Sequence, residues 1–314
     1  MVIKNNIDKN FYSLVRVITD SSCESLILLM KQYLSNLEDH ELYPYLLASY
    51  NAPENERFWG RINPKEGNFE LIENRARELK EHIDDFIWLY EQLADYRSKK
   101  VLYAILANWI TFNWEYLREN TENQFKDYFD LDLIPCISKD EVFVDLGAFI
   151  GDTIIDFIDV YGEEYSQIIA YEVDCENYKK LTESTAEYKH IIANNKGAGD
   201  SYSKMYIDPN GSTTVVSNEG HIPVEIVPLD DDIDCKITWV KMDIEGAEQS
   251  AIMGLAGHIS IDKPKLTICT YHNNCDIWKI PRMIRDINSD YKLYMRYNGG
   301  PNSLYPCEYV LYCL

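Results

Sequence analysis

The chain has 314 residues, 46% of them hydrophobic and 13% aromatic, enough to fill one large core or two smaller ones. Its 30 Lys and Arg against 52 Asp and Glu give a net charge of −22, the wrong sign for gripping nucleic-acid phosphates or for docking on an anionic membrane. Eight Cys with no C-x-x-C pair, and a first stretch MVIKNNIDKN without an apolar leader, point to a reduced, soluble, cytoplasmic protein lacking zinc and a disulfide framework.

Residues 1 to 20 carry no pattern that assigns them. From Ser22 the period becomes helical: Leu26, Leu29, Met30, Tyr33, Leu34 and Leu37 share a face, with Ser21 or Ser22 as the cap. Pro53, Gly60, Pro64 and Gly67 mark residues 50 to 68 as a loop. One amphipathic run follows through Leu79, Ile83, Phe86, Ile87, Tyr90 and Leu93, and another through Leu102, Ile105, Leu106, Trp109 and Ile110. Residues 1–130 therefore read as a helical domain, and 131–314 as a second domain. The aromatic stripe Trp88, Tyr90, Trp109 and Trp114 is expected in the helical core.

Pro135 leads into the stretch around which the rest is organised, EVFVDLGAFIGDT at 141–153. Val142 to Val144 suit a strand buried on both faces; Gly147 and Gly151 bracket a turn; Ile154, Ile155, Phe157 and Ile158 have helical period. The spacing is D-x-G-x-x-x-G followed by Asp152, unlike the G-x-G-x-x-G that meets a pyrophosphate. An acid on either side of the turn suits a cofactor with an amino group and a positive sulfonium, such as S-adenosylmethionine. A strand-turn-helix without a ligand is the plainer alternative.

Strands are expected at Ile168–Val173, near Ile191 and Ile192, at Thr238–Met242, at Leu266–Tyr271, at Tyr291–Tyr297 and at Tyr309–Cys313. The last two have no full helix between them and read as an antiparallel hairpin. Tyr202–Ile207, PNGSTT and Val224–Val227 read as an inserted β-hairpin with Asn210-Gly211 at its turn. Ligands of an open parallel sheet bind outside the carboxyl ends of its strands, which singles out Asp145, Glu172, Asp243 and His272. Glu172 stands 21 residues past Gly151, near the spacing of roughly 20 at which an acid takes ribose hydroxyls.

VFVDLGAFIGDT, AYEVDCENYKKL, PLDDD and VKMDIEGAEQSAIMGL occur in that order, and together they resemble the FkbM family of S-adenosylmethionine-dependent methyltransferases over roughly residues 125 to 297. K-x-D-x-E-G-x-E after strand four is the most specific mark, and DYFD, TYHNNCDIWKIP and YKLYMRY resemble one bacterial subgroup. The resemblance implies an α/β class I methyltransferase sheet, Rossmann-like, six strands parallel and one antiparallel, beside an N-terminal α-helical domain. It assigns Asp145, Gly147, Gly151 and Glu172 to the cofactor; Phe149, Asp152 and Thr153 of the same turn, and Asp243, join that set. Where this chain has Phe149, family members often have Asn.

The resemblance also implies O-methylation of a hydroxyl, often on a sugar or natural product. A hydroxyl is a weak acid and needs a base or a metal to lose its proton. His272 is the expected base, since imidazole ordinarily titrates near neutrality. Asp243 and Glu245 join it as catalytic candidates, and the three would also serve as ligands of Mg²⁺ or Mn²⁺. Glu245 has a second reading, as an acid at a helix N-terminus. Lys241 is expected to be paired locally and Glu248 to be solvated, while Asn210 to Thr214 are candidates to touch substrate. The expected partner is a small-molecule or glycan acceptor, with a homodimer formed through the helical domain. Two other functions fit the fold: an NAD(P)-dependent sugar oxidoreductase or epimerase, and a non-catalytic cofactor-binding module. The missing G-x-G-x-x-G counts against the first.

Overall fold

The computed structural model describes residues 3–51, 59–218, 220–299 and 307–314; the part of the expected loop at 52–58 lies outside them. The chain forms two compact units, one of Met1–Asn123, Thr270–Pro281 and Lys292–Val310, the other of Gln124–Cys269, Arg282–Tyr291 and Leu311–Leu314.

The first unit is mainly helical: α1 (Asn6–Asp20), α2 (Cys23–Ser35), α3 (Asp39–Asn51), α4 (Glu70–Glu81), α5 (Ile83–Gln92), α6 (Tyr96–Thr111) and the short α7 (Glu115–Arg118). Helix α1 occupies the stretch that has no assignment above. Asn5 caps it by accepting the Asp8 N–H at 2.9 Å, and Ile7, Phe11, Val15 and Ile18 form its buried face, a spacing of three and four that a shorter window misses. Ser22 caps α2 through the Ser25 N–H at 3.1 Å, and Leu26, Met30 and Leu34 are buried. The run from Leu79 to Leu93 is two helices rather than one. It breaks at His82, and α5 restarts with Asp84 and Asp85 in its first turn, where acids oppose the helix dipole. Asp95 caps α6, and Phe112 ends it in the left-handed region at φ 57°. Tyr90, Trp109 and Trp114 are buried as expected, and Tyr90 stacks on Phe11 at 3.8 Å.

The second unit alternates strands and helices: β1 (Val142–Leu146), α8 (Asp152–Tyr161), β2 (Gln167–Tyr171), α9 (Cys175–Ser184), β3 (Ile191–Asn194), β4 (Gly197–Ala198), β5 (Ser203–Ile207), β6 (Val216–Ser217), β7 (Ile222–Val227), α10 (Leu229–Asp232), β8 (Trp239–Met242), α11 (Glu248–Met253), α12 (Ala256–Ile261) and β9 (Lys265–Cys269). Beyond these come α13 (Asp276–Ile287), β10 (Leu293–Tyr297) and β11 (Tyr309–Cys313). Asn298 N–H bonds the Glu308 carbonyl near the base of the last connection.

Strands β3, β2, β1, β8, β9 and β11 lie in that order, and the first five pair in parallel. Val144 of β1 is in register with Ile169 on one side and Val240 on the other, so the chain turns back on itself between β1 and β8. A crevice opens at such a switch point, at the carboxyl ends of the strands. At the opposite ends, Glu141 accepts from Thr238 Oγ1 and Lys265 Nζ, both at 2.6 Å, which ties β1, β8 and β9 in one register. One face is covered by an aromatic cluster of Phe129, Phe143, Phe157, Tyr161 and Trp239, with Phe143 and Phe157 stacked at 4.6 Å.

The expected inserted hairpin is a four-stranded sheet, β4-β7-β5-β6, in which Met205 opposes Val224 and Ile207 opposes Ile222. Asn210-Gly211 does not make a two-residue turn. Gly211–Thr213 is a 3₁₀ turn closed by Thr214, whose hydroxyl accepts the Asn210 N–H at 3.0 Å and donates to the Gly211 carbonyl at 3.1 Å. No helix among the described residues is long and apolar enough to cross a membrane.

Candidate active site

The crevice is an open cleft at the strand ends, lined by the turn after β1, the end of β2 and the turn after β8. Its floor is the turn after β1. Gly147 has φ 77°, and a Cβ there would lie 1.8 Å from the Asp243 carbonyl oxygen, so only glycine lets the β1 and β8 ends approach this closely. The Gly147 and Ala148 N–H groups bond the Tyr171 carbonyl at 3.1 and 3.0 Å, which draws the turn toward the end of β2. Phe149 follows in the left-handed region at φ 46° and donates its N–H to Glu172 Oε2 at 2.9 Å.

Glu172 is 6% exposed. Its Oε1 accepts the Asp174 N–H at 2.8 Å, so both carboxylate oxygens are fixed by main chain. Burial pushes the carboxyl up to about 7, against the pull of those two N–H groups. Asn195 Nδ2 clamps the same strand end by donating to the Glu172 and Val173 carbonyls at 2.8 and 3.0 Å. Asp174 caps α9.

Asp145 is fully buried. Its Oδ1 lies 3.1 Å from Lys241 Nζ, an ion contact outside hydrogen-bond geometry, while the ammonium donates to the Gly147 and Leu146 carbonyls at 2.8 and 3.4 Å. Burial pushes the Asp145 carboxyl up to about 6, partly offset by Lys241. Burial alone would lower the Lys241 ammonium, but Asp145 and then Asp243 hold it above its ordinary value. Lys241 is thus paired across the sheet, with a residue 96 positions earlier, and not locally, because β1 and β8 are in register at Asp145 and Lys241.

Asp243 follows β8 directly and is half-buried. Its Oδ2 accepts the Tyr128 hydroxyl at 2.8 Å. Glu245 stands two residues on, at φ 54°. Glu248, expected to be solvated, is fully buried, and its Oε1 accepts the Ile244 N–H at 3.0 Å, which closes the turn. Tyr128, Phe149 and Glu245 are all non-glycine residues with positive φ, and such backbone strain gathers at working sites.

Of the residues singled out in the sequence, Gly147, Phe149, Glu172, Asp243 and Glu245 line the crevice together. Asp145 lies buried against Lys241; Gly151, Asp152 and Thr153 start α8 and do not line it. Gly151, at φ 89°, is required by packing, since a Cβ would lie 2.7 Å from Ser184 Oγ. His272 belongs to the helical unit, three residues past the end of β9, and is fully buried beside the Tyr271 ring at 4.3 Å. The lining also includes Tyr171, Lys196, Gly211, Ser212 and Thr214. Tyr171 donates to Asp232 Oδ2 at 2.8 Å and Lys196 pairs with Asp232 Oδ1 at 2.6 Å, so both wall groups are held by one acid of PLDDD. Tyr128 carries no signal in the sequence beyond its place in DYFD.

A family model for the methyltransferase FkbM domain matches residues 145–292. The crystal structure of a methyltransferase FkbM from Methylobacillus flagellatus KT is similar at 29% identity and TM-score 0.66, over 76% of this chain and 62% of that one. The chain therefore spans less than two thirds of that protein's length. An rRNA methylase from Streptococcus thermophilus is 12% identical over 58% of this chain and 90% of that one, at TM-score 0.35. A fibrillarin from Aeropyrum pernix, in complex with S-adenosyl-L-methionine, is 10% identical over 57% and 69%, at TM-score 0.38. Likenesses as distant as these last two assign no function. No curated protein sequence matches the chain.

Proposed function

The chain carries a methyltransferase FkbM domain over residues 145–292, and from that premise we propose that it transfers the methyl group of S-adenosylmethionine to a hydroxyl oxygen of a sugar, glycan or natural-product precursor. The observation that carries the cofactor reading is Glu172, a buried acid pre-oriented by two main-chain N–H groups where it lines the crevice.

When bound, S-adenosylmethionine supplies an electrophilic methyl carbon. Glu172 would accept hydrogen bonds from the ribose hydroxyls, and the glycine turn at Gly147 would let the cofactor approach the main chain. Phe149 contributes through its N–H, so the replaced side chain does not remove the contact that orients Glu172. The paired acid Asp145 and cation Lys241 leave the crevice wall close to neutral beneath the turn.

Strands β8 and β9 are parallel neighbours in register, so residues just past their ends emerge at one edge of the sheet. Asp243 directly follows β8 and is assigned to the acceptor side; the ordinary titration of imidazole near neutrality supports His272 as the group that removes the hydroxyl proton as the oxygen attacks. His272→Ala is expected to lower kcat by roughly 10²–10⁴, the range for loss of a general base, with S-adenosylmethionine affinity unchanged. Unchanged turnover removes His272 from the chemistry. Asp243, Glu245 and His272 are also suitable ligands for Mg²⁺ or Mn²⁺ binding the acceptor oxygen; activity lost to EDTA and restored by either ion supports that role.

The acceptor reading is tested with methyl-tritiated S-adenosylmethionine and a panel of neutral mono- and oligosaccharides. Alkali-stable label in a sugar supports an ether product. Alkali-labile label indicates a carboxylate ester, and no label in any sugar overturns the sugar reading. A second reading concerns residues 1–130, which we assign to a helical domain that shapes the acceptor site and pairs two copies. Its support is Leu28 and Tyr43, 61% and 55% exposed on α2 and α3, and a monomer mass in sedimentation contradicts the pairing.

A further inference from the structure

We propose that Tyr128 is the positioning residue for Asp243, a role that rests on the acceptor-side reading above. The segment before β1 is built to deliver it. Phe129 is fully buried, its ring edge-on to Phe143, Phe157, Tyr161 and Trp239 at 5.6 to 6.1 Å. Asp130 closes the next turn by accepting the Asp132 N–H at 2.9 Å, and Tyr161 holds its far end by donating to the Ile134 carbonyl at 2.9 Å. With Phe129 pegged into the core, Tyr128 stands in the left-handed region at φ 68°. A side chain in that region strains the backbone and is tolerated only where the surroundings impose it.

The result is a phenol aimed at the strand ends. Tyr128 donates to Asp243 Oδ2 at 2.8 Å, its oxygen also lies 3.5 Å from Cys269 Sγ at the end of β9, and Lys241 Nζ stands 5.2 Å from its ring. A hydroxyl donor on Oδ2 favours the carboxylate orientation that keeps the bond, and a charge-assisted bond of this length is stronger than a neutral one. The Lys241 ammonium beneath the ring fixes the phenol in turn. Asp243 begins its turn directly from β8 with its own N–H on the Leu146 carbonyl at 3.1 Å, so only its side chain is left to orient. Tyr128 does that without touching the reacting atoms.

The test is a double-mutant cycle in the full chain with Tyr128→Phe, Asp243→Ala and the pair, using S-adenosylmethionine and the sugar methylated fastest in the panel above. Tyr128→Phe is expected to lower kcat about tenfold with KM for the sugar and Kd for S-adenosylmethionine unchanged, and to cost nothing further once Asp243 is Ala. A multiplicative loss in the double variant, or a Tyr128→Phe enzyme with normal kcat, overturns the proposal. Normal turnover of Asp243→Ala overturns the acceptor-side reading instead. A crystal structure of Tyr128→Phe gives a readout independent of any acceptor: a displaced or multiply oriented Asp243 carboxylate supports the role, and an unmoved one contradicts it.

Discussion

The two units bury cations in opposite ways. In the sheet unit Lys241 is 2% exposed, stands 3.1 Å from the Asp145 carboxylate and donates to two carbonyls of the turn that bears the crevice. In the helical unit Arg75 is fully buried, and its Nε and Nη1 have no hydrogen-bond partner among the described residues. It lies over the Trp109 and Trp59 rings at 4.9 and 5.4 Å. Arg296 of the same unit pairs with Asp95 at 2.9 Å, so Arg75 is not typical even there. An aromatic cage holds a cation through its attraction to the ring faces, without a counter-ion. An ion pair placed under a glycine turn sets the electrostatics of the surface above it.

The sharpest way to break this contrast is to neutralise each cation in turn. Lys241→Met leaves Asp145 buried and unpaired, and is expected to destabilise the chain by about 3–5 kcal/mol in urea unfolding. Arg75→Met strands no acid and loses cation–π contacts worth about 1–2 kcal/mol, so its effect is expected to be the smaller. Equal losses from the two would mean that Arg75 has a partner as essential as Asp145.

A gentler test uses pH. Burial raises the folded Glu172 carboxyl from its ordinary 4.5 to about 7. A raised acid favours the protonated fold, so its contribution to stability is complete below pH 4.5 and is lost as pH rises through about 7. The stability of the natural chain relative to Glu172→Gln is therefore expected to fall across that window. Affinity for S-adenosylmethionine is expected to move the other way, rising as Glu172 ionises. If both quantities are flat, Glu172 is already ionised in the free protein and the crevice is wetter than its burial implies.

The sheet was legible because its signals are local. Val142–Leu146 is a fully buried strand, apolar but for Asp145, the glycines at 147 and 151 both have positive φ, and β11 runs from Tyr309 to Cys313 as expected. Glu172 was found by counting from the glycine turn. What escaped depends on contacts far apart in sequence or on main-chain atoms. The Asp145–Lys241 pair needs the β1–β8 register. The N–H of Phe149 does work that its side chain does not announce. Tyr128 reaches Asp243 across 115 positions because Phe129 is pegged beside it, a relation no periodicity encodes. Helix α1 was missed for a simpler reason: its apolar face is spread over Ile7 to Ile18 with polar residues between.

We propose that the crevice at the ends of β1, β2 and β8 binds S-adenosylmethionine through Glu172. Isothermal titration of the full chain with S-adenosylmethionine, and separately with NAD, tests it most directly. One S-adenosylmethionine site, no heat from NAD, and a loss of about 2–3 kcal/mol in binding on Glu172→Ala are expected, the last being the scale of hydrogen bonds to a charged group. Unchanged affinity of Glu172→Ala, or binding of NAD in place of S-adenosylmethionine, would contradict it.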